Sequence, residues 1–219
     1  MHKEQIKKRI VFSKYGNLRF IGHLDFLRVF QQTIRRANLP VAYSQGFNPH
    51  ILISFALPLP LGMSSMFDYV DITLNEECPN VIELLNIYAP SGLKIHKSSP
   101  VTDKGAASVV TAADYRVKIE KNIDVMGKLE GIIKSETIIT TKKTKSGLKN
   151  VDIRPDIIHL EKVTESPNSA ILMRLYAGSA RFLNPVTVAE LLTEEKVSPY
   201  TIERVNMYKP NENGELVEL

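Results

Sequence analysis

The sequence predicts an α+β fold of two tandem ferredoxin-like (split βαβ) domains, with mainly antiparallel sheets and helices on one face. The first half shows the element order strand, helix, strand, strand, helix, strand, which is the split βαβ order. The segment "SSPVTDKGAAS" follows and has the small-residue composition of a linker. The second half repeats the same order loosely. We therefore expect a first domain over 1–102, a linker over 103–112 and a second domain over 113–219.

In the first half, hydrophobic spacing places each element. Residues 8–21 alternate well enough for a strand with a turn at Tyr15-Gly16-Asn17, so a strand or a hairpin begins the domain. A helix follows, because apolar residues recur at i, i+4, i+7 and i+11 and form one stripe. The residues of this stripe are His23, Leu27, Phe30 and Ile34. The helix stops at Asn38, ahead of Leu39-Pro40, since a residue before proline resists helical geometry.

The remaining elements follow in chain order. Strands are predicted in "ILISFALPLPLG" and "MFDYVDITLNE", a helix in "PNVIELLNIYAP" and a strand in "GLKIHKSSP". In the second half, "DYRVKIE" predicts a strand, "NIDVMGKLEGIIKSE" a helix, and "TIITTKKTKSGLKNVDIRPDIIHLEKV" two strands around Lys145-Ser146-Gly147. "SAILMRLYAG" is another strand, Asn184 and Pro185 open a helix as N-cap and first residue, and "TIERVNMYK" ends the order. The halves share element order and no visible residue identity.

Composition excludes several classes of protein. No run approaches the roughly 18 apolar residues of a membrane span. The start "MHKEQIKKRI" is charged and lacks the apolar segment of a signal peptide, so we expect a cytoplasmic protein without membrane contact. The single cysteine, Cys78, excludes an internal disulfide and cannot alone hold zinc or an iron–sulfur cluster. No cofactor is predicted.

The net charge of +4 is concentrated in the first half. Residues 1–100 carry 11 Lys and Arg against seven acidic residues, whereas residues 101–219 carry 17 of each. Within residues 1–56, nine basic residues face only Glu4 and Asp25. Such a surface favours phosphate-rich partners. The alternative is a solubilising face without a partner.

The predicted first helix carries a row of arginines opposite its apolar stripe. Arg28, Gln32, Arg35 and Arg36 lie at i, i+4, i+7 and i+8. Like charges at this spacing repel by a few tenths of a kcal/mol. An anionic ligand would relieve the repulsion, and the planar guanidinium suits phosphate. Pairing with Asp25 is the alternative, and Arg19 joins the phosphate-binding candidates.

The segment 44–50, "SQGFNPH", places three hydrogen-bonding side chains around a glycine and a proline. A loop needs Gly and Pro for its geometry but does not need these side chains, so the segment is either a structural tie or a ligand site. Ser44, Gln45 and Asn48 are substrate-binding candidates, and His50 is the best general-base candidate. Catalysis would need partners such as His23 and Asp25. No metal site is predicted, because the histidine spacing lacks a metal motif.

A second basic segment is the predicted hairpin in the second half. It carries Lys142, Lys143, Lys145 and Lys149, with Arg154 as a further phosphate-binding candidate. It contains no aromatic residue for base stacking, and a solvated hairpin tip is the alternative. In the first half, Tyr15, Phe20, Tyr43 and Phe47 do lie among basic residues. That combination favours single-stranded RNA over duplex DNA.

The segment 14–62 resembles the signature segment of the radical-SAM-linked proteins, a bacterial domain of unknown function. The resemblance rests on G-H-L-D (22–25), R-R-A-x-L-P (35–40), S-Q-G-F-x-P-H (44–50) and S-F-A-L-P-L-P-x-G (54–62), with "VDIRP" (151–155) as a later match. The family takes its name from being encoded beside, or fused to, a radical SAM protein. The resemblance therefore implies a radical SAM protein as partner. The iron–sulfur motif C-x-x-x-C-x-x-C is missing here, so any radical chemistry would belong to that partner.

Three functions are open at this point, and the sequence leaves open whether the chain is an enzyme. The first is an accessory module that holds RNA (tRNA or rRNA) or a nucleotide for a radical SAM modifying enzyme. The second is an RNA-processing or RNA-modifying enzyme that uses His50 with His23 and Asp25. The third is a protein-docking domain with the apolar "FALPLPLG" segment (55–62) as the contact.

Overall fold

The computed structural model describes residues 5–119, 125–144, 147–165 and 168–219, and shows mixed α+β architecture. The strands are β1 (Ile6–Lys14), β2 (Ile53–Phe55), β3 (Ser64–Leu74), β4 (Leu93–Pro100), β5 (Ala112–Ile119), β6 (Ile139–Thr144), β7 (Gly147–Asp152), β8 (Ile157–Glu165), β9 (Asn168–Tyr176), β10 (Ile202–Pro210) and β11 (Leu216–Glu218). The helices are α1 (His23–Arg36), α2 (Val81–Tyr88), α3 (Ala106–Val109), α4 (Met126–Lys134) and α5 (Pro185–Thr193). Lys145 and Ser146 of the predicted turn lie outside the described residues.

Most strands join one large sheet. Within the described ranges, nine strands form it in the order β4-β1-β3-β10-β5-β9-β8, with β2 paired to β3 and β11 paired to β10. Every neighbouring pair is antiparallel except β3 and β10, which run parallel. The hairpin of β6 and β7 forms a separate two-stranded sheet. The prediction of an α+β fold with mainly antiparallel sheets is confirmed.

The first half builds its core between the sheet and helices α1 and α2. Inward residues of β1 and β3, such as Ile10 opposite Val70, pack with both helices in one apolar cluster. On α1 the buried stripe is Phe26, Phe30, Thr33 and Ile34. The predicted stripe was therefore wrong at its N-terminal end, where Leu27 and His23 are only partly buried. The helix turns Phe26 inward because the rings of Phe12, Phe30 and Phe55 surround it.

The second half has its own core. Strands β5, β8 and β9 pack with α4 and α5 in a second apolar cluster, which also takes in Val11 and Tyr69 from the first half. The sequence predicts two strands around residues 145–147, whereas the structure has three strands in this segment. β6 and β7 form the separate hairpin, and β8 joins the large sheet. Asn184 caps α5 as predicted, since its side-chain oxygen accepts a hydrogen bond from the Val186 N–H at 3.1 Å.

The two halves join along β3 and β10. Ser64 lies beside Glu203 and Ser65 beside Arg204 in parallel register, a short contact near the middle of the sheet. The predicted linker, residues 103–112, is bound into the fold, because the Ala106 N–H donates to Asp71 and the Thr111 N–H to the Tyr208 carbonyl. No helix in the described part of the chain is long and apolar enough to cross a membrane.

Candidate functional site

Residues 44–50 form a loop that is closed by its own first and last side chains. Tyr43 and Ile51 form a β-bridge below it. The Ser44 N–H donates to the His50 carbonyl at 2.9 Å, and the His50 N–H donates to Ser44 Oγ at 3.1 Å. Ser44 Oγ also lies 2.8 Å from His50 Nδ1. These contacts join the first and last residues of the loop, so Ser44 and His50 close it with hydrogen bonds.

The tip of the loop points into solvent. Phe47 is fully exposed, and Gly46 supplies the positive φ of +117° that the turn requires. Gln45 and Asn48 are exposed, and within the described residues their side chains have no hydrogen-bond partner. The Phe47 ring is therefore accessible from outside the chain.

The Ser44–His50 pair lacks the third group that a catalytic pair needs. In a hydrolase triad, a carboxylate orients the histidine that activates the serine. Among the described residues, no carboxylate makes a hydrogen bond or an ion pair with the His50 ring, and the ring is exposed. The geometry therefore supports a structural tie for this pair.

The structure does not bring His50 to His23 and Asp25. Those two residues lie at the start of α1, and the loop follows the end of that helix, which is about 20 Å long at 1.5 Å per residue. His23 packs edge-on against Phe55, with ring centroids 5.5 Å apart, whereas Asp25 pairs with Arg28. Within the described part of the chain, no group of three His, Cys, Asp or Glu residues is placed to hold a metal ion.

The arginines of α1 divide into paired and unpaired side chains. Arg28 Nη1 donates to Asp25 Oδ1 at 2.7 Å in an exposed i,i+3 pair. Arg35 and Arg36 are exposed in the last turn, and neither makes an ion pair within the described ranges. The negative end of the helix dipole stabilises cations at this position. The loop leaves the helix only a few residues later, so these two charges lie at the loop's end of the helix.

The four aromatic residues singled out from the sequence are all exposed. They are Tyr15, Phe20, Tyr43 and Phe47. The Arg19 guanidinium carbon lies 4.8 Å from the centroid of the Phe20 ring, and Arg19 Nη1 donates to the Tyr200 carbonyl at 3.3 Å. Exposed rings beside guanidinium groups are the surface chemistry on which unpaired bases stack.

Arg154 has a structural position that the sequence did not indicate. Its guanidinium donates to three carbonyls, those of Ile133, Ser135 and Ile157, at 3.0–3.1 Å. These bonds fasten the end of α4 to β8, and the phosphate-binding role of Arg154 stays a prediction. Lys142 and Lys149 are opposite each other in the hairpin and exposed. Lys145 and the side chain of Lys143 lie outside the described residues.

The apolar segment 55–62 is divided between core and surface. Leu59 is buried, whereas Leu61 is exposed. The carbonyls of Leu57 and Pro58 accept hydrogen bonds from the fully buried Arg204. Part of the predicted docking segment is therefore held inside the protein.

Sequence reasoning missed Lys14, a buried lysine behind the G-H-L-D segment. Its ammonium donates to the Ile21 carbonyl at 3.1 Å and lies 4.7 Å from the centroid of the Phe26 ring. Burial lowers the pKa of the Lys14 amine. Burial, and then the Lys14 charge, lower the pKa of the His23 imidazole. A charged residue at the end of a strand gave no signal that it would turn inward.

The lowered pKa of His23 makes stability depend on pH. Because the unfolded chain takes up the proton near pH 6.5 and the folded chain only below that, the free energy of unfolding falls as the pH drops below 6.5. We expect His23→Gln to flatten this fall in urea titrations between pH 7.5 and pH 5.5. Asp25→Asn, two residues away on the same helix and exposed, keeps the wild-type slope. An unchanged slope in His23→Gln would contradict the assignment.

The sequence reasoning also missed two buried ionic clusters. Asp68 accepts a bidentate pair of bonds from Arg204, both at 2.8 Å. Arg9 bridges Asp71 and Asp103, and Lys209 Nζ donates to Asp103 at 2.6 Å. The available signal was acidic residues inside the strand "FDYVDITL", but exposed positions on an alternating strand look the same.

Comparison with known protein families gives one match. A family model described as "Uncharacterized protein conserved in bacteria (DUF2344)" matches residues 7–185. The matched range includes the loop, α1 and the sheet up to β9. No curated protein matches the sequence.

Proposed function

The chain belongs to this family of uncharacterized proteins conserved in bacteria, and we propose for it the role of an accessory module that binds single-stranded RNA. The observation that carries the proposal is the exposed phenylalanine at the tip of a self-tied loop, with two unpaired arginines at the same end of α1. The substrate class is tRNA or rRNA, read at unpaired nucleotides.

The surface chemistry fits unpaired bases. An exposed aromatic ring offers a stacking face to any base, and arginine adds charge and its own planar face. Phe47 on its fixed loop is such a ring, and the exposed Arg35 and Arg36, in the last turn of the helix that precedes the loop, supply phosphate contacts. In duplex RNA the bases are stacked on each other and withheld from such a ring. Single strands, loops and bulges are therefore the preferred ligands.

The proposal includes a fold for each half, namely one ferredoxin-like domain. In the first half the order β4-β1-β3-β2, with antiparallel neighbours, supports it. In the second half the order β10-β5-β9-β8, again antiparallel, supports the same arrangement with the β6–β7 hairpin inserted after α4. The element order read from the sequence agrees with this assignment.

The proposed partner is a radical SAM enzyme in the cytoplasm. The support is the resemblance of residues 14–62 to proteins encoded beside or fused to such enzymes. Cys78 is the single cysteine, is buried and has a pKa that burial raises, so it does not supply an iron–sulfur cluster. In this arrangement the partner carries the chemistry and this chain presents the RNA.

Binding of a fluorescent 20-nucleotide single-stranded RNA, followed by anisotropy in 50 mM and 200 mM salt, tests the function. We expect Phe47→Ala to weaken binding about 5- to 150-fold, since one base stack is worth about 1–3 kcal/mol. Arg35→Gln with Arg36→Gln is expected to lower the slope of log K against log salt by about 1.4, at about 0.7 per phosphate contact.

Two matched controls test whether the loss of RNA affinity is specific to this surface or follows from removing any exposed ring or charge. Tyr88→Ala removes an exposed ring on α2, and Lys134→Gln removes an exposed charge on α4 that pairs with Glu130. Both variants are expected to bind like the wild type. RNA binding that is absent in 50 mM salt, or that Phe47→Ala leaves unchanged, contradicts the proposal. If His50→Ala abolishes an activity of the complex while leaving RNA affinity unchanged, the chain is an enzyme instead.

A further inference from the structure

A polar cleft lies on the sheet face opposite α1 and α2. It has a volume of about 440 Å³, within the range of small-ligand sites. Its walls come from β1, β2, β3 and the turn that leads into α3. The polar groups that line it belong to Lys7, Ser54, Asp71, Thr73, Lys104 and Ser108, and Leu52 adds apolar surface.

The floor of the cleft is a satisfied ionic cluster. Asp71 Oδ1 accepts from Arg9 Nε at 2.8 Å, and Asp71 Oδ2 accepts from the Ala106 N–H at 2.7 Å and from Arg9 Nη2 at 3.2 Å. Asp103 behind it accepts from Arg9 and Lys209 and from the Gly105 N–H. The charges of these two carboxylates are therefore balanced by their own partners, and the floor is held rigidly.

The two lysines of the rim have no such partner. Lys7 and Lys104 are exposed, and within the described residues neither forms an ion pair. The charges in and under the cleft are Arg9, Lys209, Lys7 and Lys104 against Asp71 and Asp103, which leaves an excess of two positive charges. The excess comes from the two rim lysines. A ligand group with two negative charges would balance it.

The other lining groups match the same ligand. The hydroxyls of Ser54, Thr73 and Ser108 are small donors on three different segments, and the phosphate oxygens of a monoester accept from such donors. Gly105 has φ +97°, and a Cβ there would lie 3.3 Å from Asp71 Oδ2. Because Gly105 has no side chain, the backbone between Lys104 and Ser108 can lie close to the Asp71 carboxylate.

We propose that this cleft binds a phosphate monoester whose dianionic head sits between Lys7 and Lys104, with the organic part against Leu52. A nucleoside 5′-monophosphate and the 5′-phosphate end of an RNA share this chemistry. The cleft holds one phosphorylated group of small-molecule size rather than a run of backbone phosphates. The inference stands apart from the RNA-stacking surface, since it uses none of the residues of the loop or of α1.

Calorimetric titration of the full chain with adenosine 5′-monophosphate, inorganic phosphate and adenosine tests the site. We expect the monophosphate to bind, phosphate to compete with it, and adenosine to bind at least tenfold more weakly. Lys7→Gln and Lys104→Gln are each expected to weaken the monophosphate about tenfold, the effect of losing one hydrogen bond to a charged group. Both lysines are exposed, so we expect neither substitution to change the stability of the fold. A thermal melt that matches the wild type checks that each variant is folded.

Lys8→Gln is the matched control. Lys8 is the next residue of β1, so its side chain leaves the opposite face of the strand, where it pairs with Glu77 at 2.8 Å. This variant is expected to bind the monophosphate like the wild type. Equal binding of adenosine and its monophosphate, or equal loss in the Lys7, Lys8 and Lys104 variants, would overturn the site.

Two RNA arms identify the source of the phosphate. A short RNA with a 5′-phosphate is compared with the same RNA bearing a 5′-hydroxyl, in wild type and in Lys7→Gln. If the 5′-phosphate raises affinity only when Lys7 is present, the cleft takes RNA ends; if only the mononucleotide is sensitive to Lys7, it takes free nucleotides. Phe47→Ala is expected to leave mononucleotide affinity unchanged, so failure of the stacking surface and failure of the cleft give different results.

Discussion

Asp68→Ala is expected to lower the free energy of unfolding by about 3–5 kcal/mol, the usual cost of removing one partner of a buried ion pair. Arg204 is fully buried, and its remaining acceptors are the carbonyls of Leu57 and Pro58 at 3.0–3.4 Å. Without Asp68 the guanidinium keeps its charge in a dry environment with two neutral acceptors. Chemical denaturation at pH 7 measures the change.

A double replacement separates the charge from the packing. Asp68→Leu with Arg204→Met removes both charges and keeps side chains of similar length, so we expect it to recover much of the loss seen in Asp68→Ala. Asp25→Ala breaks the exposed pair with Arg28 and is expected to cost less than about 1 kcal/mol. A loss of similar size in Asp25→Ala and Asp68→Ala would show that burial does not determine the effect.

Arg9→Met is expected to cost a similar amount, about 3–5 kcal/mol at pH 7, because it leaves two carboxylates without their shared cation. Arg9 is buried and donates to both Asp71 and Asp103 at 2.7–3.2 Å. Lys209 keeps one contact with Asp103, but Asp71 retains only the Ala106 N–H. Hydrogen exchange of the 103–111 segment, which these bonds hold against the sheet, measures where the structure loosens.

Acid adds a second check on this cluster. Hydrogen bonds from Arg9, with Lys209 and the Gly105 N–H, hold the pKa of the Asp103 carboxyl well below its usual range. Its contribution to stability is therefore present above pH 3.8 and is lost as the pH falls below that value. Arg9→Met is expected to lose less stability than wild type between pH 5 and pH 3. A wild-type acid profile in Arg9→Met would mean that another group carries the effect.

Secondary structure could be read from the sequence because it depends on local spacing. The alternation in "FDYVDITL" and the turn at Asn38-Leu39-Pro40 are local signals, and β3 and the end of α1 lie where these signals put them. The inward face of α1 was harder. Phe26 and Leu27 are adjacent and both apolar, and the choice of Phe26 depends on Phe55, which comes from another element.

Long-range placement could not be read in the same way. From the sequence, His50 was expected to meet His23 and Asp25 across the start of α1, but the loop follows the far end of that helix. The exposure of Phe47 and the hydrogen bonds between Ser44 and His50 depend on the bridge between Tyr43 and Ile51, which closes the loop. Arg204 and Asp68 are 136 residues apart, so neither spacing nor composition connects them. The polar cleft likewise draws its lysines from β1 and from the turn before α3.

The pairing of β3 with β10 sets an order of events during synthesis. Asp68 leaves the ribosome 136 residues before Arg204, which is roughly 7 to 27 seconds at bacterial rates of translation. Throughout that interval the emerging chain lacks the arginine that pairs with Asp68. Completion of this ion pair therefore waits for the last long strand. A slow, late step in which the C-terminal region closes onto an already formed N-terminal region is the kinetic signature we expect for this chain.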